Sequence, residues 1–234
     1  MTSTSRQRLL LAAAVIVLLA GLAANWAAGR GGVDFPSLYV IGRGVLTGTN
    51  IYAPGIAADF PTRYHVAEPQ GMFYPPATGF SMLPFAIFPY EVAKWAWLLA
   101  IDLTLILGIR SLVRFVAPRA GQHVWLFSVG VILLSSALRW GMMLLQGAPL
   151  VLGLLCLFVV AVNGNRPHLG ATLAVLAVAI KMTLSLPFLG ILLLRRRFGA
   201  VALAGGTWLL LNALGFLRMG HDALKDYRHN VADL

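Results

Sequence analysis

Apolar residues occur in this chain in long uninterrupted blocks, and this pattern restricts the fold more than any other feature. The first block, Leu9 to Ala28, has 20 residues without a charge, and a helix needs about 20 residues to cross a hydrocarbon core. The apolar part of a signal peptide is shorter, at roughly 7 to 15 residues. Because 59% of all residues are hydrophobic and only 11% are charged, we predict an all-α, polytopic transmembrane helical bundle.

Further apolar blocks and two polar stretches divide the chain. We predict one transmembrane domain over residues 1–234, with an external loop at 29–73 and a polar tail at 218–234. The segment 74–90 is either an elbow or a short span, since it contains four prolines and an ideal helix of its length would be only about 25 Å long. The other predicted membrane segments are Val92 to Phe115, Val124 to Leu145, Leu150 to Val162, Leu169 to Ile180, Leu184 to Leu194 and Phe198 to Leu217.

Basic residues in the connections predict the orientation of these segments. If the N-terminal arginines lie inside and 74–90 returns as an elbow, the cluster from Arg110 to Arg119 also lies inside. Arg166 and the run Arg195 to Arg197 follow it there when the chain makes a hairpin that breaks near Lys181. A full crossing by 74–90 would move the first cluster outside, against the positive-inside rule.

This orientation brings four polar residues to the outer membrane face, namely Asp34, Tyr74, Gln146 and Lys181. An acid at a membrane surface, followed by the Tyr-Pro-Pro sequence at 74–76, indicates chemistry on a lipid-linked substrate. The sequence has no histidine pair with the spacing of a zinc helix, so no metal site is predicted. It also has no nucleotide-binding fingerprint, which favours a lipid-linked donor over a nucleotide-linked one.

Ordered motifs in the loop and in the later turns resemble a known family. The resemblance is to the polyprenol-phosphate-mannose-dependent mannosyltransferases of glycosyltransferase family 87, which belong to the GT-C superfamily. The motifs are Asp34-Phe-Pro-Ser-Leu-Tyr39, Gly42-Arg-Gly-Val-Leu-Thr-Gly48, Asn50-Ile-Tyr52, Phe73-Tyr-Pro-Pro76, Leu83-Pro84, Leu145-Gln-Gly147, Ala179-Ile-Lys-Met-Thr183 and Arg195-Arg-Arg-Phe198.

The resemblance implies transfer of a sugar, typically mannose, from a polyprenyl-phosphate carrier to a glycolipid, glycan or protein outside the cytoplasmic membrane. It implies that Asp34 is the general base, and a weakly nucleophilic acceptor hydroxyl does gain from a positioned carboxylate. Lys181, together with Arg43 or Arg63, would contact the phosphate, and the segment 74–90 would form a wall of the lipid entrance. No cofactor is implied beyond the lipid-linked donor.

The candidate site residues also have structural interpretations. Asp34 could cap a helix over 36–48, and Tyr74 could anchor the chain at the membrane interface. Lys181 could extend along apolar surface to the interface. Gln146 could satisfy backbone groups freed by a nearby proline. The other loop acids, Asp59 and Glu68, match no motif and are predicted to be solvated.

Two other functions compete with glycosyl transfer. Asp102 lies within an apolar segment, where a carboxylate must be protonated, paired or turned to a polar cavity, so the chain could be a small transporter. A hydrogen-bonded packing contact of Asp102 with Thr104 is the other interpretation. The family usually has a second set of spans, so the chain could be a fragment, a truncated non-catalytic homologue or an assembly partner that needs another chain.

The net charge of +10 does not indicate nucleic-acid binding. We expect the basic residues to lie mostly in short connections between apolar blocks, where they set the orientation in the membrane.

Overall fold

The computed structural model describes residues 3–65 and 72–232, except for the side chains of Ser3 and Met182. The described residues form helices joined by turns, and no β-strand occurs among them. Glu68 lies outside the described residues. The helices are α1 (Ser3–Ala28), α2 (Phe35–Thr47), α3 (Phe60–Tyr64), α4 (Pro76–Ala86), α5 (Tyr90–Val116), α6 (Gln122–Leu134), α7 (Ser136–Leu144), α8 (Ala148–Asn163), α9 (Pro167–Ile180), α10 (Met182–Leu194), α11 (Phe198–Met219) and α12 (His221–Ala232).

Three helices of the described chain are long and apolar enough to cross a membrane, namely Thr4–Ala28, Tyr90–Val116 and Phe198–Met219. The pair α6 and α7, bent by 62°, makes a fourth span if it is counted as one. The helices α8, α9 and α10 are shorter and also apolar. The all-α, polytopic membrane fold predicted from the apolar blocks is therefore confirmed.

The membrane segment predicted from Val124 to Leu145 is broken at Ser135, which separates α6 from α7. Ser135 has an extended ψ of 142°, and its hydroxyl accepts the backbone N–H of Leu138 at 3.4 Å. A serine in this position caps the following helix. This local hydrogen bond starts α7 in a new direction, so α6 does not continue.

Glycines set the distance between paired helices of the bundle. A Cβ on Gly108 of α5 would lie 2.4 Å from the carbonyl oxygen of Gly153 on α8. A Cβ on Gly130 of α6 would lie 2.7 Å from the backbone nitrogen of Leu18 on α1. Small residues allow this close approach of backbones between membrane helices, so these glycines permit the α5–α8 and α1–α6 pairs.

Two turns at one end of the bundle are joined by arginine side chains. Arg195 donates to the side-chain oxygen of Asn163, and Arg197 donates to that of Asn165, both at 2.9 Å. Therefore α9 begins and α10 finishes at the same end, which we call the Arg195 end. Lys181 stands alone between these helices in an extended conformation, with φ −151° and ψ 92°, so the predicted hairpin break near Lys181 is confirmed.

The opposite end, which we call the Lys181 end, holds both limits of the segment 74–90. Near its start, the Thr78 hydroxyl donates to the carbonyl of Ala179 at the end of α9. After its end, Lys94 of α5 donates to a backbone carbonyl just after α1 at 2.7 Å. The chain leaves and returns at the same end through α4. This is the path of an elbow, although its depth in a membrane stays a prediction.

The predicted external loop at 29–73 contains a buried helix. This helix, α2, has Pro36 near its start and ends before Gly48, whose φ of 77° is left-handed, so the helix predicted over 36–48 is confirmed. It packs against α4, where a Cβ on Gly79 would lie 2.5 Å from the side chain of Val45. The loop is therefore partly a structural element of the bundle.

The described part of the polar tail at 218–234 is the helix α12, which docks on the chain after α2. Asn50 donates to the carboxylate of Asp226 at 2.7 Å, and Asn230 donates to the carbonyl of Tyr52 at 3.1 Å. The rings of Tyr52 and Tyr227 meet edge to face with centroids 5.1 Å apart. These contacts hold α12 at the Lys181 end.

Charge is distributed unequally between the two ends. Lysines and arginines occur at both ends. Many of them lie within helices, such as Arg43 in α2 and Lys94 in α5, so they are less concentrated in the short connections than we predicted from the sequence. Among the described residues, all carboxylates except Asp102 lie at the Lys181 end. The turns at the Arg195 end contain Arg119, Arg166 and the run Arg195 to Arg197 without a described carboxylate.

A candidate active site at the Lys181 end

Asp34 lies directly before α2 and leaves its carboxylate unused by the helix. Its backbone has φ −88° and ψ −14°, and its side chain makes no capping hydrogen bond. The backbone N–H of Asp34 donates instead to the carbonyl of Leu144 at 2.9 Å. The helix-capping interpretation is therefore wrong for the side chain, and the half-buried carboxylate is available to another group.

Two glycines allow the chain to carry Asp34 across the end of α7. Gly32 has a left-handed φ of 58°, and its N–H donates to the carbonyl of Met143 at 2.9 Å. A Cβ on Gly32 would lie 2.9 Å from the side chain of Lys94, and one on Gly31 would lie 3.0 Å from the carbonyl oxygen of Met143. A side chain at either position would press against these neighbours, so this part of the loop depends on glycine.

Gln146 and Lys181 form a direct pair between two helix breaks. Lys181 donates from Nζ to Oε1 of Gln146 at 3.0 Å. Gln146 follows Leu145, which has a left-handed backbone at the end of α7. It lies two residues after Leu144, whose carbonyl accepts the backbone N–H of Asp34. The amide oxygen of Gln146 therefore binds the ammonium group, an interaction that the sequence did not predict. This hydrogen bond holds the lysine at the same end of the molecule as Asp34.

Tyr74 is the candidate residue with the clearest electrostatic relation to Asp34. Burial raises the pKa of the Tyr74 hydroxyl to about 12, with a further contribution from the negative charge of Asp34. The hydroxyl therefore remains protonated at neutral pH and can donate a hydrogen bond. The main chain of Tyr74 is also held, because the hydroxyl of Tyr52 donates to its carbonyl at 2.8 Å.

A cavity of about 490 Å³ lies beside these groups. Tyr74, Thr78 and Lys181 form part of its lining, and α11 and α12 add Trp208 and Tyr227. Most of its other lining side chains are apolar. We call it the Lys181 cavity. It places a cation and a phenol hydroxyl at an apolar chamber, an arrangement suited to a ligand with a charged head and a hydrocarbon chain.

The contribution of α11 and α12 to this cavity was missed at the level of sequence. Asn212, which also lines the cavity, accepts the backbone N–H of Ala77 at 3.1 Å through its side-chain oxygen. Its side-chain nitrogen donates to the carbonyl of Trp208 at 2.9 Å. A single amide within the apolar block from Phe198 to Leu217 was the signal that could have identified this helix as part of the site.

Arg43 and Arg63 do not join Lys181. They line a second cavity of about 550 Å³, together with Tyr39, Asp59 and several further side chains. Arg43 donates to the carbonyl of Ala86 at 3.2 Å. We call this chamber the Arg63 cavity. Asp59 is exposed as predicted, and the two arginines are separated from the lysine with which the sequence had grouped them.

Asp102 is fully engaged between α1 and α5. One carboxylate oxygen accepts from Asn25 at 3.1 Å, and the other accepts from the indole N–H of Trp26 at 2.9 Å. The Thr104 hydroxyl donates to the carbonyl of Ala100 on its own helix, so Asp102 is hydrogen-bonded but not to Thr104. Within residues 3–65 and 72–232, no group of three or more His, Cys, Asp or Glu side chains could hold a metal ion.

The fold and the site define an α-helical, polytopic membrane protein whose polar groups meet beside an apolar cavity. The model of glycosyltransferase family 87 matches residues 73–234, which is more than half of the chain. The chain belongs to this family and is therefore a membrane glycosyltransferase. No curated protein and no solved structure matches it. The matched region contains Tyr74, Gln146 and Lys181, whereas Asp34, Arg43 and Arg63 precede it.

Proposed function

We propose that this protein transfers a sugar, with mannose as the first candidate, from a polyprenyl-phosphate carrier to an acceptor hydroxyl on the outer face of the cytoplasmic membrane. The observation that carries the proposal is the Lys181 cavity, where an ammonium group and mostly apolar walls meet at the same end of the molecule as Asp34. Membership of a glycosyltransferase family supplies the reaction class. The donor, the acceptor and the membrane face are parts of the proposal.

The Lys181 cavity would hold the donor. Its apolar side chains suit a polyprenyl chain, while the ammonium group of Lys181 would lie against the phosphate. When the bond between sugar C1 and the phosphate oxygen breaks, negative charge grows on the departing lipid phosphate. A positioned cation stabilises that charge more in the transition state than in the bound donor. Gln146 would keep the ammonium group in place through the 3.0 Å hydrogen bond.

Asp34 would act as the general base. The acceptor hydroxyl forms the new bond to sugar C1, and its proton passes to the Asp34 carboxylate as the polyprenyl phosphate leaves as an anion. A base in this role typically contributes about 10² to 10⁴-fold in rate. The neutral Tyr74 hydroxyl would contact the substrate beside this carboxylate. No metal or other cofactor takes part in the proposed steps.

The Arg63 cavity would hold the acceptor. Its tyrosines can stack on sugar rings, and its arginine and aspartate side chains can hydrogen-bond hydroxyl groups. The cavity and Asp34 share α2, since Asp34 directly precedes this helix and Tyr39, Arg43 and Thr47 on it line the chamber. Arg43 and Arg63 thus remain proposed substrate contacts, with the acceptor in place of the donor phosphate.

The outer membrane face is proposed for the Lys181 end. The short turns at the Arg195 end hold arginines that would remain in the cytoplasm under the positive-inside rule. The transporter alternative receives no support, because both oxygens of Asp102 are bound to α1. The remaining alternative is an assembly partner without its own activity. The following assay distinguishes it from an active glycosyltransferase.

The first test is transfer of labelled mannose from polyprenyl-phosphate-mannose to a membrane extract by the purified chain. We expect Asp34→Asn to lower transfer at least about a hundredfold, because the amide cannot accept the proton. Asp222→Asn is the matched control, since Asp222 is an exposed acid on α12, and it should retain wild-type transfer.

Equal transfer by wild type and Asp34→Asn would remove Asp34 from catalysis. If neither protein transfers mannose while both insert and fold, the chain is a partner-dependent or non-catalytic member of the family. The same assay is repeated with polyprenyl-phosphate-glucose. Transfer of glucose would show an active enzyme that uses a different sugar, whereas transfer of neither sugar would indicate an inactive protein.

A further inference from the structure

The turns at the Arg195 end form a basic surface, and two side-chain hydrogen bonds hold these turns together. The α8–α9 turn and the α10–α11 turn are tied together by the bonds from Arg195 to Asn163 and from Arg197 to Asn165. Asn165 and Arg196 both have left-handed backbones, with φ of 56° and 54°. Such a backbone is uncommon for a residue as long as arginine. The two hydrogen bonds therefore hold Arg196 in a defined place at the surface.

A third cavity, of about 430 Å³, opens beside this basic surface. It lies between α5, α8 and α9, and its walls are mostly apolar, with Phe115, Leu157 and Leu169 among them. Ser111 and Arg166 are its polar side chains. Arg166 follows directly after Asn165, so the same braced turn presents an arginine to the mouth of an apolar chamber. We call it the Arg166 cavity.

The charge around the Arg166 cavity favours an anion. Arg166 is exposed, and no hydrogen bond or ion pair of its guanidinium is found among the described residues. No described carboxylate lies in the three turns at this end to neutralise it or the run Arg195 to Arg197. A soluble anion would use the arginines but gain nothing from the apolar walls. A lipid with an anionic head group would use both features.

We propose that the Arg166 cavity binds an anionic phospholipid of the surrounding leaflet. The phosphate group would lie against Arg166, with Arg195 to Arg197 adding positive potential, and an acyl chain would enter the space between α5 and α9. Basic pockets between membrane helices at head-group level are suited to such lipids. This site lies at the opposite end from Asp34 and does not depend on the proposed glycosyl transfer.

The test measures lipid binding to the full chain, purified in a neutral detergent, by native mass spectrometry and by thermal unfolding. Phosphatidylglycerol and phosphatidylcholine with identical acyl chains are added in parallel, with inorganic phosphate as a third addition. We expect phosphatidylglycerol to be retained and to raise the unfolding temperature more than phosphatidylcholine does. Ligands that bind only the folded state stabilise it in this way.

Two variants address the two features of the site. Arg166→Gln should weaken phosphatidylglycerol binding about tenfold, because a charge-assisted hydrogen bond is lost, and should reduce the preference for phosphatidylglycerol over phosphatidylcholine. Val160→Phe should weaken it by filling the chamber, since Val160 lines the cavity, while every arginine is kept. Arg228→Gln, an exposed arginine on α12 at the other end, is the matched control and should bind like wild type.

Three results would overturn the proposal. Equal binding of the two lipids would show a site without charge recognition. An equal rise of the unfolding temperature with inorganic phosphate would show an anion site without a lipid. Unchanged phosphatidylglycerol binding by both Arg166→Gln and Val160→Phe would place the lipid elsewhere. None of these readouts uses sugar transfer, so an inactive enzyme and a missing lipid site are distinguishable.

Discussion

Asp34 shows how backbone conformation decides what a side chain is free to do. An N-cap residue normally has an extended backbone, which turns its side-chain oxygen back to the first N–H groups of the helix. Asp34 has a helical ψ of −14° instead, and its side chain makes no capping bond. The position of Asp34 directly before α2 predicts a capping role, but its backbone conformation leaves the carboxylate unbonded to the helix. The carboxylate is therefore free to contact the substrate in the proposed reaction.

The division of cations between the two cavities gives a prediction at the residue scale. Lys181→Met should lower the turnover number about 10² to 10³-fold, because the charge on the departing phosphate loses its partner. Arg63→Gln should raise the acceptor KM and leave the donor KM unchanged, since Arg63 lines the other cavity. Steady-state kinetics with each substrate varied in turn would measure both effects.

A change of donor KM in Arg63→Gln, or unchanged turnover in Lys181→Met, would contradict this assignment. Lys181→Arg is the control for charge. It should recover part of the activity, because a guanidinium keeps the positive charge but differs in geometry from the ammonium bound by Gln146.

At the scale of secondary-structure elements, close packing of the bundle depends on glycines at the contacts between helices. The carbonyl of Gly153 occupies the space in which a Cβ on Gly108 would stand, at 2.4 Å. On α11, by contrast, a Cβ on Gly205 would meet nothing within 4 Å. Gly108 therefore permits a close helix contact of α5, whereas Gly205 of α11 has open space where its side chain would stand.

The two glycines give a matched prediction for stability. Alanine is favoured over glycine in a helix by about 1 kcal/mol, so Gly205→Ala should keep or raise the unfolding temperature. Gly108→Ala should lower it, because overpacking against a backbone oxygen costs about 1–3 kcal/mol. Thermal unfolding in one detergent would compare the variants. Equal unfolding temperatures would mean that the α5–α8 contact can separate without cost.

At the scale of the whole molecule, successive helices run back and forth between the two ends, so the candidate site residues lie together at one end. The Lys181 end holds Asp34, the elbow at 74–90, the Gln146–Lys181 pair and α12. The described turns at the Arg195 end are short and contain arginines, and the Arg166 cavity opens beside them. This polarity gives the molecule one end with a candidate active site and one end with a braced basic surface.

The orientation of this polarity can be measured by labelling cysteines in intact cells with a maleimide that does not cross membranes. Cys156 is the single cysteine of the sequence and is first replaced by serine. In this background, Arg228→Cys at the Lys181 end should be labelled from outside. Arg119→Cys, in the exposed turn between α5 and α6, should be labelled only after the cells are permeabilised. The opposite pattern would place the candidate active site in the cytoplasm.

Local features were predictable because they depend on short stretches of chain. The length of an apolar block decides whether it can cross a membrane as a helix, and the described chain has such helices where the sequence predicted them. The break at Lys181 and the helix over 36–48 followed from local composition in the same way. Ser135 was missed, because a serine within an apolar run gives little warning that it will cap a new helix.

By itself, the sequence determined a polytopic helical membrane protein and a set of candidate residues at its helix breaks. Only the tertiary structure decided which candidates meet. It joined Lys181 to Gln146, separated them from Arg43 and Arg63, and added α11 and α12 to the cavity. The physical reason is that apolar length and turn chemistry are local properties. Contacts between distant residues instead depend on how the helices pack and on the direction of each pass.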